Sequence, residues 1–246
     1  MKDLFSSQAT NYQRFRPGYP DFLVEYLCSL LQQTDQVWDC GTGNGQLAGM
    51  LAERFERVYA TDISENQLQQ AIQKENIVYS IQAAEKTNFE SDQFNAITVA
   101  QAIHWFQFDT FYKEVTRTIK NEGILLVTGY GTLTINKNID YLLHEFHEET
   151  LKDYWEPERR YVDDHYQSIP FPFKEIQAPN FKNIFNWTLK DLEGYINTWS
   201  AVTKFKQQQG YNPVPKLLES IQTNWGNNPE QKVEFPLLLR VGRILK

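Results

Sequence analysis

The sequence predicts an α/β fold organised around a doubly wound, mostly parallel sheet, and three observations predict it. Short apolar runs alternate with amphipathic segments through the first 130 residues, the spacing of consecutive βαβ units. Three glycines, Gly41, Gly43 and Gly45, follow the first apolar run at alternate positions in V-W-D-C-G-T-G-N-G-Q. An acid, Asp62, ends the second apolar run, roughly 20 residues after the first glycine, the offset at which such folds hold a nucleoside sugar.

The elements follow in order. D-F-L-V-E-Y-L-C-S-L-L has apolar residues at helical spacing, with Asp21 as N-cap. Strand one spans Gln36 to Asp39, and a helix runs from about Asn44 to Arg54. Strand two is R-V-Y-A-T-D, ending at Asp62; Ser64 then caps a helix with Gln67 as its reciprocal partner. Strand three starts at Ile77, strand four covers Phe94 to Gln101, a helix covers about Phe108 to Ile119, and strand five starts at Gly123. These strands are near-continuous apolar runs, as a sheet covered on both faces requires. Beyond Gly131 the pattern changes. Residues 136–165 read as helical, Phe173–Gln177 and Asn183–Leu189 as short strands, L-K-D-L-E-G-Y-I-N-T-W-S-A-V as one amphipathic helix and V-P-K-L-L-E-S-I-Q as another. The closing K-V-E-F-P-L-L-L-R-V-G-R-I has strand composition, and Pro236 inside it predicts an edge position or a bulge.

Composition narrows the function classes. With 41% hydrophobic and 22% charged residues the chain can bury a sizeable core, which excludes a disordered chain. A net charge of −7 without a basic run disfavours grip on a nucleic-acid backbone. Cys28 and Cys40 read as buried free thiols, which fits a reducing cytosol. The N-terminus has no apolar core of signal-peptide length, and no apolar run reaches the roughly 20 residues of a membrane span. The expectation is a cytoplasmic protein with a small-molecule substrate and neither nucleic acid nor membrane as partner.

The glycine spacing selects the ligand class. Dinucleotide folds use G-x-G-x-x-G, which sets a helix N-terminus against a pyrophosphate. Here the run is D-x-G-x-G-x-G, with Asp39 heading it, and that acid would repel a phosphate. The run resembles motif I of the class I S-adenosylmethionine-dependent methyltransferases. The opening Y-Q-R-F-R-P-G-Y-P, the A-Q-A-I-H-W-F run after strand four and the I-N-T-W-S-A-V helix are similar to the small-molecule branch that includes the trans-aconitate methyltransferase-like proteins.

The resemblance implies a Rossmann-like, seven-stranded sheet with a helical cap after strand five. It divides a single domain, 1–246, into a cofactor-binding core (1–135), a mostly helical substrate cap with a strand insertion (136–228) and a terminal strand returning to the sheet (229–246). It implies S-adenosyl-L-methionine as cofactor. Gly41, Thr42, Gly43 and Gly45 would pack on its amino-acid part, Asp39 would orient the turn and help place the ammonium, and Asp62 would hold the ribose. Ile63 would pack on the adenine, Ala84 and Glu85 would lie at its edge, Gln101 would face the methionine portion, and Tyr12 and Arg16 would fold over the ligand. Many relatives in that family carry an aspartate at the place of Ala83, and its absence here implies a backbone or water partner for the adenine amino group.

Methyl transfer from a sulfonium is an in-line displacement with an already activated leaving group, so alignment and exclusion of water carry most of the catalysis. A carboxylate acceptor needs no base; a hydroxyl or amine does. His104 is the candidate base or hydrogen-bond donor, and with Trp105, Trp199, Ser200 and Thr203 it forms the candidate substrate site. Arg159 and Arg160 are cations available to an anionic acceptor. H-E-F-H-E sets His144 and His147 three apart, but it departs from H-E-x-x-H and has no third ligand, so no metal is expected. Three other readings stay open: a nicotinamide-dependent oxidoreductase, which the glycine spacing opposes, an inactive methyltransferase-like binding protein, and a methyltransferase of RNA or protein. The last lacks an N-P-P-Y-type run after strand four.

Overall fold

The structure, a computed structural model, describes residues 15–246. Its described strands are β1 (Gln36–Cys40), β2 (Arg57–Asp62), β3 (Ile77–Ile81), β4 (Phe94–Ala100), β5 (Ile119–Tyr130), β6 (Lys174–Ile176), β7 (Lys182–Thr188) and β8 (Glu230–Arg243). They form one sheet in the order β3-β2-β1-β4-β5-β8-β6, with β7 paired to β8 off that path. β1 through β5 are parallel, and β8 runs antiparallel to β5, β6 and β7. This is the expected Rossmann-like α/β sheet with an antiparallel edge, but it has eight strands where seven were expected, because the first half of β8 pairs with β7 and its second half with β5 and β6. Strand order reverses between β1 and β4, the switch point where ligands bind such sheets.

The α-helices that lie wholly within the described residues are α1 (Asp21–Ser29), α2 (Gln46–Leu51), α3 (Glu65–Gln69), α4 (Phe108–Thr118), α5 (Lys137–Glu145), α6 (Arg159–Asp163), α7 (Leu189–Asn197), α8 (Ser200–Gln209) and α9 (Val214–Trp225). Leu23, Leu27, Leu47 and Leu51 of α1 and α2 cover one sheet face with Val37 and Val58 beneath them. Trp38, Phe94 and Ile97 pack on the other face against Phe111 and Val115 of α4. Each fully buried side chain of this size contributes about 1.5–3 kcal/mol. A third core, holding Leu143, Phe146, Leu192, Trp199 and Phe235, lies under the helices beyond β5.

Three local expectations are corrected. Asp21 is the first helical residue, not the cap; Pro20 takes the cap position without a side-chain hydrogen bond. Ser64 does accept from the Gln67 amide, but the Gln67 side chain faces the ligand cleft rather than acting as its reciprocal partner. The stretch from Leu189 is two helices. α7 ends at Thr198, whose Oγ1 donates to Tyr195 O at 2.6 Å, and Trp199 starts α8 in an extended conformation. Pro236 sits where β8 changes partner, paired to β7 through Pro236 and to β5 from Leu237, so its missing N–H breaks no continuous ladder.

Candidate active site

A cleft opens over the carboxyl ends of β1, β2 and β4, and the β1–α2 turn forms its floor. Gly41, Gly43 and Gly45 have φ of +68°, +56° and +77°, the left-handed region that favours glycine. A Cβ on Gly41 would meet Ala102 Cβ at 2.6 Å, and one on Gly45 would run into Tyr79 Oη. On Gly43 it would come no nearer than 3.9 Å to any described residue, so of the three this glycine keeps its side-chain space open. Gly41, Thr42 and Gly43 line the cleft; Gly45 does not, because it packs on Tyr79.

The two acids divide their work. Asp62 receives the Gly43 amide on Oδ2 and the Ser64 amide on Oδ1, both at 2.9 Å, and lines the cleft beside Ile63. Each carboxylate oxygen has a second lone pair, so it can accept from a ligand hydroxyl as well. Asp39 lies beneath the turn at 1% exposure, outside the cleft wall. Thr42 Oγ1 donates to its Oδ2 at 2.6 Å and Thr98 Oγ1 to its Oδ1 at 2.8 Å. Burial pushes its carboxyl up to about 6, against the pull of those two hydroxyls. In this position Asp39 orients the turn from beneath.

Asn44, which the sequence did not flag, lines the cleft at 7% exposure, and its Nδ2 is buried without a hydrogen-bond partner among the described residues. An orphaned amide donor there costs about 1–3 kcal/mol unless a ligand oxygen meets it. With the open space over Gly43 and the Asp62 carboxylate, it makes a floor that fits a ligand bearing both a sugar and an amino-acid group.

The cleft's roof and far wall come from Arg16 near the start of the described residues and from segments after β4 and β5. Arg16 lines it, donating from Nη1 to Tyr130 Oη at 3.2 Å and from Nη2 to Thr198 O at 3.1 Å, with its guanidinium carbon 5.5 Å from the Tyr195 ring centroid. Tyr12 lies outside the described residues. Gln101 closes β4 in a left-handed conformation, φ +53°, and its Nε2 donates to Tyr130 O. Ala84 and Glu85 are not in the wall: Ala84 is buried in the core beside Cys40 and Ala102, and Glu85 accepts from the Gln107 amide at 2.9 Å.

His104 and Trp105 line the cleft from a 3₁₀ turn, their rings 4.9 Å apart. Burial, helped by the Arg159 charge, drives His104 down to about 3, so its ring is neutral at physiological pH. Behind it stands Tyr166, fully buried and left-handed at φ +63°, which the sequence did not signal. Its hydroxyl lies 3.4 Å from Gln101 Oε1 and 3.5 Å from His104 Nδ1, over a space that Gly129 leaves free. Trp199 and Ser200 line the wall, whereas Thr203, one turn into α8, lies outside it. His147 stacks on Trp155 at 4.6 Å, Nδ1 meeting Glu148. Among the described residues no cluster of His, Cys, Asp and Glu is arranged to hold a metal ion.

A methyltransferase-domain family model matches residues 38–127, from Trp38 in β1 to Val127 in β5. A provisionally named methyltransferase of Dictyostelium discoideum is 34% identical over 245 residues, spanning 96% of this chain and 93% of its own. The chain belongs to the class I S-adenosylmethionine-dependent methyltransferases. The solved structure of a provisionally named type II methyltransferase from Anaeromyxobacter dehalogenans superposes on this methyltransferase with a TM-score of 0.87 at 33% identity, over 94% of this chain and 99% of that one. A phosphoethanolamine N-methyltransferase 2 of Haemonchus contortus, solved with S-adenosyl-L-methionine bound, shares the fold at 16% identity and a TM-score of 0.51, over 98% of this chain and 57% of that one. No helix among the described residues of the methyltransferase is long and apolar enough to cross a membrane.

Proposed function

We propose that this methyltransferase takes S-adenosyl-L-methionine as its donor in the cleft and methylates a small molecule at a carboxylate oxygen. When bound, the donor supplies a methyl group on a positively charged sulfur, which makes the thioether a ready leaving group. Asp62 would hold the ribose hydroxyls, Gly41 and Gly43 would let the backbone approach the amino-acid part, and the Asn44 Nδ2 would meet its carboxylate. Arg16 would close over that part from above.

The observation that carries the acceptor reading is the state of His104. A histidine whose conjugate acid forms only near pH 3 is a weak proton acceptor, since general bases work best with a pKa near the working pH. An acceptor that is already anionic at neutral pH needs no such base. The protein's contribution is then alignment and a dry site, which Trp105, Trp155 and Trp199 supply by walling the acceptor end. The acidic balance of the chain favours a small acceptor over nucleic acid.

The test is a screen of small carboxylic acids with donor labelled at the methyl group. The reading expects volatile or base-labile methyl esters among the products. Label entering only hydroxyl or amine acceptors, with carboxylic acids inert, would overturn it.

A further inference from the structure

The acceptor end holds a cation whose hydrogen-bonding capacity the protein uses only in part. Arg159 lines the cleft from the start of α6, its side chain one quarter exposed. Its Nε donates to Asp163 Oδ1 at 2.8 Å, and its guanidinium carbon lies 4.8 Å from the Trp155 ring centroid. Nη1 and Nη2 have no acceptor among the described residues. The group is held in place: Trp155 donates from Nε1 to His147 O at 3.3 Å and stacks on the His147 ring, so the platform beneath Arg159 is pinned to the turn after α5.

The field of Arg159 reaches the acceptor end. It is one cause of the lowered pKa of His104, and also of that of His147. The acid on the same wall, Glu156, is engaged by Lys204 at 3.3 Å. Its neighbour Arg160 is exposed, donates to Tyr161 Oη and does not line the cleft. In a chain of net charge −7, a fixed guanidinium with two open donor nitrogens beside the reacting end is a feature of the site and not of the general surface. Guanidinium presents paired donors that match carboxylate and phosphate oxygens.

We infer that Arg159 is the specificity-determining residue for the acceptor: it holds an anionic group of the substrate, separate from the atom that is methylated, and so selects small acids with a second anionic group over neutral compounds of the same shape. This rests on the proposed methyl transfer, which fixes which end of the cleft receives the acceptor.

The test uses the full chain saturated with S-adenosylhomocysteine. Malonate, succinate, glutarate and inorganic phosphate are titrated, with the neutral diamides of the three acids as matched controls, reading tryptophan fluorescence and thermal shift. At least one anion binds tenfold or more tightly than its control in the wild type. Arg159→Met loses that preference, Arg159→Lys keeps part of it, and Arg160→Met leaves it unchanged. Wild-type protein that binds no anion better than its control, or an unchanged preference in Arg159→Met, overturns the inference. The S-adenosylhomocysteine titration is read separately: its failure removes the methyl-transfer reading, whereas intact binding of it with no anion preference removes only the role of Arg159. Should Arg159→Met fold poorly, the wild-type comparison and Arg159→Lys decide.

Discussion

The Asp62 carboxylate accepts the Gly43 amide at 2.9 Å, tying the end of β2 to the middle of the turn after β1. One acid thus sets the turn's conformation and also lines the cleft. The sheet reinforces the link, since β1 and β2 pair from Gln36–Arg57 through Cys40–Thr61 and the Thr42 amide continues the ladder to Thr61 O.

The turn's glycines separate a folding role from a binding role. Gly41→Ala drives a methyl into Ala102 at 2.6 Å and also pays the left-handed penalty of about 1–2 kcal/mol, so its melting temperature falls sharply. Gly43→Ala meets no described residue closer than 3.9 Å, so it loses only about 1–2 kcal/mol of stability while its methyl projects into the ligand space. Thermal melts with and without S-adenosylhomocysteine check this: ligand stabilisation vanishes in Gly43→Ala. Equal melting losses in the two variants would contradict the assignment.

Asp39 makes stability depend on pH. Its folded pKa, about 6, lies above the ordinary carboxylate value, so the native state binds the proton more tightly than the unfolded chain. Its contribution is therefore most favourable below about pH 4 and is lost as pH rises through about 6, by on the order of 3 kcal/mol. Asp39→Asn keeps polar contacts to Thr42 and Thr98 without the charge. Relative to wild type the variant should gain stability between pH 4 and 7, measured by urea denaturation at several pH values. A constant difference across that range would contradict the shift.

His104 should leave no mark on the pH profile near neutrality. With its ionisation near 3, the turnover rate of wild type and of His104→Gln should show the same limbs between pH 5 and 8, although the variant turns over more slowly. A limb near pH 6 that disappears only in His104→Gln would identify it as a working base and remove the main support for a carboxylate acceptor.

Gly129 and Tyr166 should couple. A Cβ on Gly129 would lie 2.7 Å from the Tyr166 hydroxyl and 3.1 Å from Gln101 Oε1, so Gly129→Ala displaces the groups behind His104. The expected cost is about 1–3 kcal/mol of stability, with turnover reduced more than S-adenosylhomocysteine affinity. Adding Tyr166→Phe removes the nearest clashing atom and should recover part of the stability, a non-additivity that a double-mutant cycle measures. Strict additivity would contradict the contact.

The glycine turn and the strand-end acid of the cleft were legible because their requirements are local. Left-handed turns demand glycine, and an acid at a strand end is visible in sequence, so Gly41, Gly43 and Asp62 could be read directly. The acceptor half depends on tertiary events with weak local signals. The helical pattern of 189–202 hides the break at Thr198–Trp199, because both halves bury apolar residues at the same spacing. That break moves Thr203 out of the wall and leaves Trp199 and Ser200 in it. Tyr166 escaped notice because its left-handed backbone is held from afar, by Arg240 donating to Tyr166 O and Ile169 O while paired with Glu175. Gly45 and Asp39 belong to the recognised motif, yet one packs on Tyr79 and the other lies under the turn. The motif thus combines residues that touch the ligand space with residues that build the turn.

The most direct test of the account is calorimetric titration of S-adenosylhomocysteine into the wild-type chain and its Asp62→Ala variant, with NAD as control. The account predicts one site per chain in the wild type, affinity at least tenfold weaker in the variant, as loss of a charged hydrogen-bond acceptor implies, and no heat from NAD. Equal affinity in the two proteins, or binding of NAD alone, would contradict it.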